Sequence, residues 1–415
     1  MKLGKHIAVV GAGIVGLAVA LRLRRDGYRV TIYDPMEPGS QTSAGNAAII
    51  MTAQTVPFAE PAILRKLPVL LRRKDGPLAI RKTHLPKLLP WISMFCKNNT
   101  RKRRAETAET LAPLAMNALQ TWMNLAGPHD APRHFRQNGL LYVFKTRKAF
   151  RAAQQDAELR GGHGVPYEII HPEEMRQLEP ALYEDLAGGI LYPDVGQCIE
   201  PRKLSDAISG LFRTSGGEVR RSQVRRLKPV DRNSVNVLTE EDETGYDEVI
   251  VAAGISSSAL LSPLGIKPKI ASERGYHLML HDPELSINRP IVAGEGRFVI
   301  TPLEKGIRLA GTSEFAHPEA QPDWDRADRL FDQAQELLPD LDGDDNASRW
   351  CGSRDSTPDG LPYVGRLKKH RNIICAFGHG HMGLTLAATT AQLVSDIIGK
   401  RESFIDIKAL APDRF

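Results

Sequence analysis

Apolar residues along the chain gather in short continuous runs separated by segments with helical periodicity. The run His6–Val10 is followed by a helical pattern over residues 17–25 and by a second run, Arg29–Tyr33. Short apolar runs without polar alternation are typical of parallel strands covered on both faces. This first stretch therefore predicts a strand–helix–strand unit.

Two later segments repeat the pattern. Residues 246–254 form an apolar run that ends in small residues, and residues 372–377 form another. The second run leads into Gly378-His-Gly-His-Met-Gly383 and a helical segment over 384–398. Alternating strands and helices predict an α/β fold, whereas the stretch after residue 139 mixes α and β patterns and indicates a second, α+β domain.

The first turn has the sequence Gly11-Ala-Gly13-Ile-Val-Gly16, and the next strand ends in Asp34. In this context Gly11 permits a tight turn, Gly13 admits a pyrophosphate, and Gly16 allows close packing of helix and strand. The amides at the helix start favour phosphate, and Asp34 would bind ribose hydroxyls. The motif predicts dinucleotide binding without choosing between FAD and NAD.

Residues 65–104 form a basic segment in which Asp75 is the single acid. Apolar residues are interleaved, most densely over 88–95, and could lie on a bilayer surface with lysines at the headgroups. The alternative is a solvated basic face on a helical excursion that packs onto the protein. Binding of nucleic acid is a third interpretation, disfavoured because Trp91 is the one large aromatic nearby.

Composition adds few constraints. The chain has 415 residues, a net charge of +6 and four scattered cysteines, so we expect more than one domain, no disulfide framework and a reducing, cytoplasmic setting. The N-terminus resembles a signal peptide, but its glycine spacing argues against cleavage, and no transmembrane run is apparent. His379 and His381 lack a third metal ligand at a suitable spacing, so we expect no metal.

Four segments together resemble the FAD-dependent D-amino-acid oxidase superfamily, and most of all the bacterial D-amino-acid dehydrogenases, which include D-hydroxyproline-type members. These segments are the glycine-rich N-terminal unit, residues 249–254, Gly352-Ser-Arg-Asp-Ser-Thr-Pro-Asp-Gly-Leu-Pro-Tyr-Val-Gly365, and residues 378–387. Residues 41–47 are similar to the flavin-contacting loop of that subgroup, and the basic segment is similar to its counterpart there. The resemblance covers nearly the whole chain.

The resemblance implies that Arg354 lies over the flavin and grips the substrate carboxylate. A guanidinium suits this role because it offers two parallel hydrogen bonds. A structural ion pair with Asp355 or Asp359 is the alternative. Relatives often have Pro where this chain has Asp355, an acid that could weaken the clamp or recognise the substrate amine.

Oxidase relatives also place a phenol on a strand of the substrate domain. Phe298 occupies the position where that phenol is expected, and Tyr276 or His277 would substitute for it. The resemblance thus implies Arg354, Tyr276 and His381 as catalytic residues, and Arg354, Tyr276, His277 and Phe298 as substrate-binding residues.

The implied cofactor is FAD, with the turn at 380–385 facing the pyrimidine end of its ring. The expected contacts lie in the glycine turn, the ribose acid, the loop and the two later turns. They are Gly11, Gly13, Ile14, Val15, Gly16, Asp34, Thr42, Ser43, Asn46, Ala47, Val224, Ala253, Gly254, Gly380, Met382, Gly383, Leu384 and Thr385.

The implied fold is a Rossmann-like FAD-binding domain over 1–60, 195–255 and 345–415, with a discontinuous mixed-sheet substrate domain over 61–194 and 256–344. The implied reaction is oxidative deamination of a D-amino or cyclic imino acid by hydride transfer to flavin N5. Electrons would pass to a quinone or another acceptor, and the protein would be cytoplasmic or peripheral on the inner face of the cytoplasmic membrane. Alternatives are a glycine or sarcosine oxidase using O₂, a flavin-dependent RNA-modifying module, and a noncatalytic flavin-binding protein.

Overall fold

The structure, a computed structural model, describes residues 4–57, 76–231, 233–342 and 346–415. Its strands, in chain order, are β1 His6–Val10, β2 Arg29–Tyr33, β3 Ile49–Ile50, β4 Leu78–Ile80, β5 Phe135–Arg136, β6 Leu140–Phe144, β7 Glu168–Ile170, β8 Gly188–Tyr192, β9 Gly196–Cys198, β10 Glu218–Arg220, β11 Arg226–Pro229, β12 Val235–Leu238, β13 Glu243–Tyr246, β14 Glu248–Val251, β15 Ala271–His281, β16 Ile291–Ala293, β17 Phe298–Leu303, β18 Gly306–Phe315, β19 Ser348–Ser356, β20 Tyr363–Arg366 and β21 Ile373–Phe377. Its α-helices are α1 Ile14–Arg25, α2 Leu85–Asn98, α3 Arg101–Met116, α4 Ala118–Ala126, α5 Ala131–His134, α6 Arg147–Gly161, α7 Pro172–Leu178, α8 Pro201–Thr214, α9 Ser257–Leu261, α10 Asp325–Gln335 and α11 Gly383–Gly399.

The apolar runs of the sequence meet in one six-stranded sheet with the order β10-β2-β1-β14-β21-β20. All neighbouring pairs are parallel except β20 with β21. β14 and β21 are buried along their whole length because helices cover one face of the sheet and the β11-β12-β13 sheet, with α9, covers the other, which is why they read as unbroken apolar runs. The carboxyl ends of β1, β2, β14 and β21 therefore lie along one edge, where ligands of such sheets bind.

A larger mixed sheet has the order β19-β15-β18-β17-β16-β6-β8-β7, with β4 added beside the end of β18. One face of this sheet packs against α10 through an apolar cluster that includes Leu278, Leu309 and Leu330. Two small sheets, β11-β12-β13 and β3-β9-β5, complete the strands described. This architecture confirms the α/β class with a mixed second sheet.

The six-stranded sheet draws its strands from the three segments predicted for the FAD-binding domain. One strand of those segments, β19, instead pairs with β15 in the mixed sheet. β19 thus carries the sequence around Arg354 out of one sheet and onto the edge of the other. The domain boundaries themselves stay a prediction.

The described part of the basic segment is mainly α2 and the start of α3, and residues 65–75 lie outside the described residues. Along α2 the side chains of Leu88, Trp91 and Ile92 pack on the protein, beside Ala271 and Phe315. Their spacing of three and four residues places them on one helix face. The apolar stretch predicted for bilayer contact is therefore partly used for packing within the protein.

The opposite face of α2 is solvent-exposed. Leu89 is 55% exposed, and Lys87 and Lys97 of the same helix are exposed as well. Within the described ranges, no helix combines the length and apolarity needed to cross a bilayer.

Candidate active site

The glycine turn after β1, residues 11–16, forms a concave cradle that side chains in place of its glycines would fill. Gly11 has φ +111°, and a Cβ there would overlap the backbone of Ala252 at the end of β14. A Cβ at Gly16 would overlap the carbonyl oxygen of Gly11, so α1 can approach β1 only with glycine at that position. The start of α1 is thereby held against the carboxyl edge of the sheet, where the positive end of the helix dipole favours an anion.

Asp34 lies at the end of β2, beside this turn. Its carboxylate accepts hydrogen bonds from the amides of Ala12, at 2.7 Å, and Met36, at 2.8 Å. Burial raises the pKa of Asp34 despite these bonds. Each carboxylate oxygen retains acceptor capacity, which suits the predicted contact with ribose hydroxyls.

The ends of β14 and β21 supply the rest of the edge. Ala253 and Gly254 follow β14, and Gly254 has φ +52°. The turn at 378–383 follows β21 and opens α11, whose Thr385 hydroxyl accepts a 3.0 Å bond from the Met51 amide. Val224 is different, because it packs in an apolar cluster beneath β1 and β2.

The loop at 41–47 is fastened to the mixed sheet. His277 Nδ1 lies 3.0 Å from the Gly45 carbonyl, and Thr301 donates to the Ala47 carbonyl at 3.0 Å. The buried Arg308 donates to the carbonyls of Ala44 and Asn46.

The same loop is tied to the glycine turn and to β19. Ser43 accepts a 2.9 Å bond from the Ile14 amide at the start of α1, and Thr42 donates to the Ser353 carbonyl. The predicted flavin loop thus joins the two sheets at the candidate cofactor site.

Arg354 lies in the middle of β19, directly opposite Glu273 of β15. Its guanidinium lies across Gly275, where any Cβ would overlap it. Nη1 is buried and has no hydrogen-bond partner among the residues described. Burial lowers the pKa of Arg354, but a guanidinium stays charged in proteins, so this cation is poised for an anionic ligand.

Glu273 is a buried carboxylate that the sequence analysis did not select. It accepts 2.6 Å bonds from the hydroxyls of Ser313 and Ser356, and it lies 2.8 Å from His381 Nε2. Burial acts to raise the pKa of Glu273, but the charge that His381 carries when it is protonated, its hydrogen bond and Arg354 lower it overall. The one signal in the sequence is the acid itself, because β15 turns out to be buried along almost its whole length and a buried acid needs partners.

The two proposed anionic partners of Arg354 are engaged elsewhere. Asp355 points to the opposite face of β19 and accepts bonds from the amides of Gly378, at 2.6 Å, and Gly380, at 3.3 Å. Asp359 pairs with Arg414 at 2.7 Å. Burial raises the pKa of Asp355 to about 6, and its role is to cap the glycine-rich turn rather than to meet a substrate amine.

Tyr276 and His277 lie on opposite faces of β15 because side chains alternate along a strand. His277 shares the face of Glu273 and stacks on Trp350 at 5.1 Å, and burial lowers its pKa to about 3. Tyr276 shares the other face and donates a 2.7 Å bond to Glu314. The structure therefore groups His277 with Arg354 but does not bring Tyr276 to it.

Phe298 also lies away from Arg354. It is buried in the apolar cluster beneath α10, packed against Gly311. Trp91 of α2, by contrast, reaches this region, since its indole donates a 2.9 Å bond to the Ser356 carbonyl. Its spacing within a buried helical face was visible in the sequence, but its target was not.

Cys351, Cys375 and His379, the first histidine of the turn, are set apart from Arg354. Cys351 is on the opposite face of β19, where Arg274 contacts its sulfur at 3.2 Å, and Cys375 is buried within β21. His379 is buried and lies 2.9 Å from the Thr390 hydroxyl. Across the ranges that the structure covers, no group of three or more His, Cys, Asp or Glu side chains could hold a metal.

The site fits FAD on two observations. The Gly11 and Gly16 cradle and the start of α1 match a pyrophosphate beside Asp34. The loop at 41–47 and the turn at 378–383 flank the space beneath β19 and β15, where Arg354 has an unused donor. A flavin ring there would lie between backbone amides and a buried cation.

Comparison with known proteins also indicates an FAD dependent oxidoreductase, and the matches span almost the whole chain. A model of the FAD dependent oxidoreductase family matches residues 6–397. A D-amino-acid oxidase of Bradyrhizobium diazoefficiens is 37% identical over 99% of both chains. A D-amino acid dehydrogenase of Paramagnetospirillum magneticum is 30% identical over 99% of this chain and 98% of its own.

Solved structures agree on the fold. Glycine oxidase from Geobacillus kaustophilus superposes with a TM-score of 0.75 at 20% identity, over 99% of this chain and 100% of that one. L-proline dehydrogenase from P. horikoshii superposes with a TM-score of 0.73 at 18% identity, over 100% of this chain and 98% of that one. At such identities the likeness is one of fold.

Proposed function

Since the chain belongs to the FAD dependent oxidoreductase family and uses FAD, we propose that it oxidises a D-amino acid or a cyclic imino acid at the α-carbon. Bound FAD supplies the acceptor for the hydride that leaves the α-carbon. The product is an imino acid, which water hydrolyses to a keto acid when its nitrogen is primary. Relatives named for both D-amino acid oxidase and dehydrogenase activity support this assignment.

The observation that carries the proposal is the guanidinium of Arg354, whose Nη1 atom is buried and has no partner among the residues described. A carboxylate is the common feature of all amino acids, and it accepts two parallel bonds from a guanidinium. Holding the carboxylate at Arg354 would fix the α-carbon in one orientation, and orientation supplies a large part of barrier reduction. Gly275 makes room for the guanidinium, which a side chain at that position would displace.

The remaining residues shape the pocket. His277 and Trp350 stack on the face of the sheet that also carries Arg354, and the low pKa of His277 keeps it neutral. Burial also withdraws this region from water, which strengthens every charged contact within it. These features support a site that selects a small zwitterion rather than a large anion.

For the electron acceptor we propose a quinone or another carrier rather than oxygen alone. The exposed face of α2, with Leu89 between Lys87 and Lys97, supports peripheral contact with the inner face of the cytoplasmic membrane, where a quinone is reached. A glycine or sarcosine oxidase is the second candidate. It is favoured only by the fold shared with glycine oxidase.

The test is anaerobic bleaching of the bound flavin in the purified protein. The panel contains D-amino acids, D-hydroxyproline, the matching L-forms, glycine and sarcosine. Fast bleaching by D-forms alone supports the proposal, and repetition in air separates a dehydrogenase from an oxidase. Bleaching by glycine or sarcosine alone would favour the second candidate, and no bleaching by any compound would overturn the assignment.

A further inference from the structure

Glu273 is a buried carboxylate to which the proposed reaction gives no role. An amino acid carries an ammonium next to its carboxylate, and that ammonium must lose a proton before the α-hydrogen can leave as hydride. Glu273 lies directly opposite Arg354 on the neighbouring antiparallel strand. Facing side chains of such a pair have Cβ atoms about 4.5–5.5 Å apart, which suits the two charges of one zwitterion.

Glu273 has room for one more donor on the oxygen away from His381. Its Oε1 is met by Ser313 and His381, whereas Oε2 is met by Ser356 alone among the residues described. A carboxylate oxygen accepts two hydrogen bonds readily. A substrate ammonium beside Arg354 would complete this set.

His381 connects the buried carboxylate to solvent. Its Nε2 lies 2.8 Å from Glu273 Oε1, while its side chain is 36% exposed. It is part of the turn that opens α11, directly after β21. Glu273 and His381 together thus connect the buried face of the mixed sheet to bulk water.

The neighbouring titratable groups are engaged elsewhere, including His277 on the same face, which contacts the Gly45 carbonyl. Asp355 caps the turn from the opposite face of β19, and His379 is buried against Thr390. Tyr276 and Glu314 bond each other on the opposite face of β15. Arg354 is the one cation besides His381 whose charge acts on Glu273.

We propose that Glu273 and His381 form a proton relay that carries the substrate's ammonium proton to solvent, an inference that rests on the proposed function. An N–H bond of the ammonium breaks as its proton moves to Glu273 Oε2, leaving a neutral amine. The protonated carboxyl of Glu273 then turns about its terminal C–C bond, and the same proton passes to Nε2 of His381, which accepts it in the tautomer that carries its own proton on Nδ1. The resulting imidazolium releases a proton to water, so the carboxylate and the imidazole are both regenerated.

The first test measures protons instead of turnover. The ligand is 2-aminoisobutyrate, which has no α-hydrogen and cannot be oxidised. Stopped-flow mixing of this ligand with the holoenzyme at neutral pH, in weak buffer with a pH-indicator dye, gives the rate at which protons are released on binding. We expect fast release for the wild type and for the surface control His129→Asn, and release slowed about 10²-fold for Glu273→Gln and His381→Asn. Equal release rates in all four proteins would overturn the relay.

The second test follows the pH dependence of anaerobic flavin bleaching. At neutral pH the Glu273→Gln and His381→Asn variants should bleach about 10²-fold more slowly, the usual worth of a general base. The defect should vanish at high pH, where the substrate amine is already neutral. A defect of constant size across pH would overturn the relay and indicate a structural role. If the wild type itself is not bleached by any amino acid, the proposed function fails instead.

Discussion

Arg354 and Glu273 face each other across the β19–β15 pair on the same face of the mixed sheet, where Glu273 is buried and Arg354 is half-buried with its Nη1 atom shielded from solvent. Burying either charge alone would cost free energy, and the opposite charge of the neighbouring side chain offsets part of that cost. Glu273 has three further partners, whereas Nη1 of Arg354 has none among the residues described. The two charges therefore offset each other, while Nη1 of Arg354 still has a hydrogen-bond donor to offer a ligand.

Replacing Arg354 by leucine should abolish most turnover while the protein stays yellow. The lost contact is a charged bidentate one, so kcat/KM should fall at least about 10²-fold, or roughly 3 kcal/mol. The matched control is Arg349→Leu on the same strand, which removes an exposed ion pair with Asp328. Its kcat/KM should stay within about twofold. An Arg354→Leu enzyme with wild-type kcat/KM would refute the carboxylate clamp.

The Tyr276→Phe variant tests whether Tyr276 takes part in the reaction, as was predicted for it together with Arg354. The phenol bonds Glu314 on the face away from Arg354, so we expect kcat/KM to change little. The free energy of unfolding should fall by about 1–3 kcal/mol, because a buried acceptor loses its donor. Urea titration and steady-state rates measure the two effects. A large loss of kcat with unchanged stability would instead support a direct catalytic role.

Gly16→Ala should prevent FAD binding, since its methyl group would overlap the Gly11 carbonyl. The ratio of flavin to protein absorbance after purification reports the loss. Gly210→Ala is the control, because Gly210 is exposed within α8 and a Cβ there meets nothing within 4 Å. That variant should keep FAD and gain about 0.5–1 kcal/mol of stability.

Asp355 should make stability depend on pH. Burial raises its pKa to about 6 in the folded protein, above an unfolded value near 3.9, so the folded state holds the proton more tightly. Its contribution is full below about pH 4 and is lost as the pH rises through about 6, by at most about 1.4 kcal/mol per pH unit. Urea unfolding of the wild type and Asp355→Asn across this range isolates the effect. A constant difference between the two proteins would show that Asp355 does not titrate there.

Neutralising the exposed basic face of α2 and α3 should weaken binding to anionic vesicles. The variant carries glutamine at Lys87, Lys97, Arg101 and Lys102. Each basic side chain near an anionic surface contributes about 1 kcal/mol, so partition should fall by at least about 10²-fold. Sedimentation with vesicles that contain anionic lipid provides the measurement.

The control for this experiment removes the same charge elsewhere. Arg221, Arg225, Arg226 and Lys228 are exposed around β11, and their change to glutamine leaves α2 intact. This second variant should retain most of its vesicle binding. An equal loss in both would indicate a general effect of net charge and would contradict a docking face on α2.

The sequence was sufficient to predict features that depend on local order along the chain. The glycine turn, Asp34 and the turn at 378–383 each follow an apolar run, and parallel strands bring such ends to one edge. The placement of Tyr276 and Phe298 depended on which strand face α10 covers, a tertiary fact. Glu273 was missed for the same reason, because its partners come from β18, β19 and the turn before α11.

The six-stranded sheet has a consequence for how the protein is made. β21 enters between β14 and β20, and α11 then packs on α1, so elements near both ends of the chain become neighbours. A ribosome must therefore synthesise β21 and α11, as far as residue 399, before the cofactor cradle can close. Nascent chains that stop before residue 373 would leave β14 with an unpaired edge, a state prone to aggregation. Added FAD can thus stabilise only chains that contain β21 and α11, and shorter chains would be degraded.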